Sequence, residues 1–179
     1  MVSVTWGSGL ITGPVNRAIA TTRNGIEVLR FGGLQTGSRP SPFRIVERSD
    51  MYRLRRYFPD GANDPSRPPV ILVPPMMMSA NVFDVTRHQG AVGVLHDLGV
   101  DPWVVDFGSP DRETGGLERT LSDHVIALSR VVDAVQAHTG RKVHLAGYSQ
   151  GGMFCYQAAA YRRSEGLASV ITFGSAVDS

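Results

Sequence analysis

The sequence predicts an α/β fold, a mostly parallel sheet with helices on both faces, from three observations. Short apolar runs suited to buried strands alternate with amphipathic helical stretches. A pair of alternating runs precedes them and reads as a leading hairpin. Late in the chain an apolar strand at 143–146 runs through the sharp turn Gly147-Tyr148-Ser149-Gln150-Gly151 into a helix-forming stretch at 153–160.

Residues 1–40 read as a helical appendage and 41–179 as the domain. Pro14 suits a first helical position, and Val15, Ala18, Ile19, Thr22, Ile26 and Leu29 recur at helical spacing until Gly32-Gly33. That helix is expected to dock on its own domain, with a partner or a lipid surface as alternatives. Runs at 43–47 and 51–57 form the strand pair, with Arg48-Ser49-Asp50 as the turn. The continuous apolar run 70–73 suits a central parallel strand and stops at Pro74-Pro75. A helix is expected over 85–98, ended by Gly99, then a buried strand over 102–107. Thr120 to Asp123 resembles a capping box, Leu121, Val125, Leu128, Val132 and Val135 mark an amphipathic helix, and Gly140 occupies the C′ position. A last strand is expected over 169–173. In such sheets the ligand edge is the carboxyl end of the strands, which would gather 74–78, 107–111, 148–152 and 174–178.

The chain has 179 residues, 42% of them hydrophobic and 19% charged, as expected of a soluble globular domain. A net charge of +2 gives no reason to expect nucleic acid. Seventeen of the eighteen basic residues are arginine, and the clusters Arg53–Arg56 and Arg162-Arg163 read as solvated faces. Cys155, the single cysteine, excludes an intrachain disulfide framework and reads as a buried small apolar residue. No apolar run approaches the ~18 residues that span a bilayer, and the N-terminus lacks a signal-peptide core, so a cytoplasmic location is expected, peripheral to membrane or lipid if the appendage binds there. Nothing calls for a cofactor or a metal.

The Gly-x-Ser-x-Gly turn names the chemistry. A nucleophilic serine on a sharp strand-to-helix turn needs small residues two before and two after it, which Gly147 and Gly151 provide. The helix start points unpaired amides and positive partial charge at the serine hydroxyl. Ser149 is therefore the candidate nucleophile, and the amide of Gln150 the first oxyanion donor.

The order of elements matches the α/β-hydrolase fold through its sixth strand. Over about 65–179 the chain resembles the polyhydroxyalkanoate synthases more specifically. Pro74-Pro75 follows the third strand, Asp106-Phe107-Gly108-Ser109-Pro110-Asp111 is similar to their Asp-Trp-x-x-Pro-Asp turn, and Gly147-Tyr148-Ser149-Gln150-Gly151-Gly152 to their Gly-x-Cys-x-Gly-Gly elbow. Ala176-Val177-Asp178 resembles their Pro-Val-Asp turn. The resemblance implies a second oxyanion donor after the third strand. With no N–H on Pro74 or Pro75, this is the amide of Met76. Met76-Met77-Met78 would form an apolar wall for an acyl chain or, equally, pack into the core. Serine in place of the synthase cysteine favours ester or thioester hydrolysis or simple acyl transfer over polymerisation. The implied substrates are lipid esters or acyl-CoA-like thioesters. Similar serine-bearing modules stand before an acyl-CoA ligase, which is a candidate fused or associated partner.

The base is missing from this pattern. In this fold the order is serine, acid, histidine, yet His88, His96, His124, His138 and His144 all precede Ser149. His96, His124 and His138 are expected on helix surfaces, with His88 the least poor substitute. Asp178 is expected as a turn residue, and Glu165 and Asp106 as structural. Only 28 residues follow Gly151, so the domain is read as partial, ending after about the sixth strand. An inactive or incomplete module is expected, with a non-catalytic remnant or an acyl-binding module as the alternative.

Overall fold

The computed structural model describes residues 40–61, 64 and 66–176. The expectations for residues 1–40 and for Asp178 therefore lie outside the described residues, except for the exposed Pro40 at the boundary.

Two antiparallel strands open the sheet, β1 (Phe43–Arg48) and β2 (Arg53–Tyr57). Their turn closes because Ser49 N donates to Tyr52 O at 2.9 Å while Ser49 Oγ accepts from the amides of Met51 and Tyr52, both at 3.2 Å. β3 (Pro69–Val73), β4 (Asp101–Asp106), β5 (Val143–Tyr148) and β6 (Leu167–Phe173) follow, and the sheet order is β1-β2-β4-β3-β5-β6. β2 runs antiparallel to β4, and the β4-β3-β5-β6 block is parallel throughout. Every residue of β3 and β4 is buried, as the unbroken apolar runs require of strands covered on both faces.

Helices α1 (Ala91–Asp97), α2 (Leu121–Thr139) and α3 (Gln150–Tyr161) connect the parallel strands. The α2 limits follow the sequence signals. Thr120 and Asp123 form the reciprocal capping box, with Thr120 N donating to Asp123 Oδ2 at 2.8 Å, and Gly140 ends the helix at φ 66°. Val125, Leu128, Val132 and Val135 face Ile71, Val73, Trp103, Val105 and Leu145 in the main core, closed from below by Phe154 of α3. On the other face Val92 and Ala80 meet Val70, Leu72, Val104 and Ala146.

Three expectations change. The helix expected over 85–98 is only α1, preceded by a single 3₁₀ turn at Ala80–Phe83. Buried Asp84 accepts from Ser41 N at 2.9 Å and Ser41 Oγ at 2.8 Å, which ties this segment to the chain before β1 rather than to a helical ladder. The arginine clusters are not solvated faces throughout: Arg163 is exposed, but Arg55, Arg56 and Arg162 are not. Arg55 and Arg56 side chains are 12% exposed, pairing with Asp106 and Asp101 and lying over the rings of Phe43 and Trp103 at 4.7 and 4.8 Å. Arg162 likewise folds inward to Ser129 O and Oγ, both at 2.8 Å, and to Asp133 at 2.7 Å. Finally, His124 is 2% exposed: its ring stacks on Phe154 at 4.9 Å and meets Phe107 edge-on. Cys155 is buried, and burial pushes its thiol pKa far up.

Candidate active site

Parallel strands bring their carboxyl ends to one edge, so the chain after β3, β5 and β6 converges there. Ser149 stands at the junction of β5 and α3 with φ 52° and ψ −123°. That is left-handed backbone for a residue with a Cβ, a strain of about 1–3 kcal/mol. Three hydrogen bonds hold it. Ser149 N donates to Phe173 O at 2.8 Å, and Ser149 O accepts from Gly152 N at 2.9 Å and from Ser175 Oγ at 2.7 Å.

The flanking glycines are required by space. A Cβ on Gly147 would lie 2.4 Å from both Gly151 O and Gly152 N, and one on Gly151 would lie 2.1 Å from Val73 O. The helix can therefore approach the ends of β3 and β5 only with glycine at both positions. Pro74 and Pro75 are buried beside it, and Met76 N donates to Gln150 Oε1 at 3.2 Å. The structure thus brings Ser149, Gln150 and Met76 together at one edge. The methionine run divides: Met76 packs against the main core, whereas Met77 is 84% and Met78 38% exposed. An apolar wall of three methionines at the serine is not formed, because the turn from Pro75 O to Met78 N at 3.1 Å points them apart.

The histidines are engaged elsewhere. His96 stacks on Phe58 and meets Arg67 at 3.0 Å; burial, then the charges of Arg67 and Arg87, hold its pKa below the ordinary value. Burial likewise lowers His124, whose Nδ1 faces Thr120 O at 2.7 Å. His138 Nδ1 faces Ala134 O, and His144 Nδ1 faces Ser169 Oγ at 2.8 Å. His88 is exposed in the turns before α1. Asp106 is held in the sheet by Arg55, Arg53 and Gly108 N. Its burial alone would raise the carboxyl pKa, but these bonds and charges outweigh it and hold the pKa low.

One feature of this edge was missed in the sequence. An apolar groove of about 490 Å³ lies on the sheet face away from α2 and α3, lined by Leu72, Ala146, Tyr148, Ile171, Phe173 and Val94 among others. It reaches Tyr148, the residue before the serine. Its signal was the shared parity of Ala146 and Tyr148 with Ile171 and Phe173, which the β5–β6 register pairs.

Among the described residues no group of three or more His, Cys, Asp or Glu is placed to hold a metal, and no helix is long and apolar enough to cross a membrane.

No protein-family model matches the chain. It is 32% identical over 117 residues to the poly(3-hydroxyalkanoate) polymerase subunit PhaC of Allochromatium vinosum, a match covering 64% of this chain and 32% of that protein. Among solved structures it superposes on a dienelactone hydrolase from Anabaena variabilis with a TM-score of 0.58, at 21% identity over 76% of this chain and 64% of that one. The chain has the α/β-hydrolase fold. A thioesterase domain from the curacin biosynthetic pathway shares the same fold, with a TM-score of 0.55 and 16% identity over 79% of this chain and 48% of that one. The chain spans about a third of the length of the curated relatives it matches.

Proposed function

We propose that Ser149 is the nucleophile of a serine acyl hydrolase or acyltransferase module acting on lipid esters or acyl thioesters. The main-chain amides of Gln150 and Met76 are its oxyanion donors. The observation that carries this reading is the left-handed backbone of Ser149 at the β5–α3 junction. Ser149 Oγ adds to the acyl carbonyl, the oxyanion forms at the start of α3, and collapse expels the alcohol or thiol. Water or a second acceptor then releases the acyl group. The similarity to a polymerase of hydroxyalkanoates supports acyl substrates.

The proton from Ser149 needs a base, and the five histidines have other neighbours or stand in solvent. We place the base outside these 179 residues and expect little or no turnover by this chain alone. Two assays test this. Turnover of p-nitrophenyl esters or acyl-CoA by the 179-residue chain, abolished by Ser149→Ala, would overturn the missing base. A fluorophosphonate probe should label Ser149 in a chain continued through the downstream reading frame, and absence of labelling there would overturn the nucleophile.

The groove beside Tyr148 favours a second reading, a module that binds acyl chains without turning them over. Its volume falls within the range of about 300–1,000 Å³ usual for small-molecule sites. Titration with a fluorescent fatty acid should then saturate and be weakened at least about tenfold by Ile171→Glu, a loss of ~1.4 kcal/mol. Unsaturable binding would sink this reading.

A further inference from the structure

Gln150 enters the candidate site twice. As the first residue of α3 its main-chain N–H has no acceptor within the helix. Its side-chain Oε1 accepts from Met76 N at 3.2 Å. The facing atom is an N–H donor, so the carboxamide presents its oxygen rather than its –NH₂. Pro74 and Pro75 bring no N–H to this loop, which makes Met76 the first amide after β3 that can reach the reacting centre. The gap that Gln150 spans is set by backbone. Gly151, the next residue, lies so close to Val73 O that a Cβ would sit 2.1 Å from it.

We propose that the Gln150 side chain is a resident gate on the Met76 oxyanion donor, its amide oxygen standing where a substrate carbonyl oxygen must come. This inference rests on the oxyanion role given to Met76 under the proposed function and deepens it. A substrate oxygen reaches Met76 N–H only after Oε1 swings aside. A neutral ester or thioester carbonyl is the same kind of acceptor as the one it replaces, so the bound ground state gains nothing from Met76. The tetrahedral oxyanion makes a charge-assisted bond, roughly twice as strong, and displaces the amide. The gate therefore discriminates in favour of the tetrahedral species over the bound ester. Gln150 contributes one donor through its main chain and withholds the other through its side chain until charge develops.

Three variants test the gate in the chain continued through the downstream reading frame, the form in which Ser149 is expected to label. Gln150→Ala removes the acceptor and keeps the main-chain N–H, Gln150→Met removes it while keeping the bulk, and Gln150→Glu supplies a stronger acceptor. Hydrogen exchange of the Met76 amide, followed by NMR, should rise about fivefold in Gln150→Ala and Gln150→Met, the effect of one lost hydrogen bond. It should stay slow in Gln150→Glu. Unchanged exchange in both neutral variants overturns the proposal. Fluorophosphonate labelling of Ser149 should be faster than wild type in Gln150→Ala and slower in Gln150→Glu. Slower labelling of Gln150→Ala overturns the gate in favour of a brace for the loop. Absence of labelling in every variant removes the nucleophile reading, and the exchange result still decides whether Gln150 fills the Met76 donor.

Discussion

On the sheet face that carries α2 and α3, Ile71, Val73, Trp103, Val105, Val143 and Leu145 are all closed from solvent. On the other face, Val70, Leu72, Val104 and Ala146 are covered by α1 and the Ala80–Phe83 turn, but Ile171 and Phe173 remain 44% and 55% exposed. A parallel sheet reads as apolar on both faces because both are normally covered. The difference separates two tasks. The closed face anchors α3 and so sets the backbone of Ser149, while the open part of the other face offers the apolar groove. The two meet at Phe173, whose carbonyl accepts from Ser149 N and whose side chain lines the groove.

The strongest way to break this contrast is at the closed face. Gly151→Val places branched carbon against the Val73 carbonyl, and we expect loss of at least about 4 kcal/mol or failure to fold, read by urea unfolding. Next, Leu145→Ala should cost about 3 kcal/mol, whereas Ile171→Ala, half in solvent, should cost less than about 1 kcal/mol. Equal costs would show that the two faces are equally closed in solution. Asp106→Asn leaves Arg55 in the sheet without its counter-charge, and we expect a loss of about 3 kcal/mol, with the groove's ligand binding unchanged.

The smallest effect is in pH dependence. His124 has its pKa lowered by burial on the closed face, so between its folded value and the ordinary value near 6.5 the unfolded chain binds more protons. Stability should therefore fall as pH drops below about 6.5 and level off once the folded imidazole is itself protonated. His124→Phe should flatten that slope in unfolding curves taken across the window. His96 acts in the same direction and should leave a residual slope. Asp106, with its pKa held low, takes over at more acidic pH, where its protonation removes the pairing with Arg53 and Arg55.

Much of the framework was legible because its causes are local. The capping box at Thr120, the stop at Gly140, the buried runs of β3 and β4, and the glycines around Ser149 all act within a few residues. The misread features depend on partners far along the chain. Arg55 and Arg56 find Asp106 and Asp101 only once β2 lies beside β4, and the helix expected from 85 starts only at Ala91, after a segment that Asp84 ties to Ser41. His124 looked like a surface residue until Phe107 and Phe154 closed over it.

By itself the sequence determined the strand and helix alternation, the elbow and its glycines, and the position of the serine, because turn sterics and side-chain periodicity are properties of neighbouring residues. The tertiary structure alone decided which amide faces Gln150, where the arginine charges are neutralised, and which sheet face stays open. Those outcomes depend on strand order and register, which bring together residues that no local pattern connects.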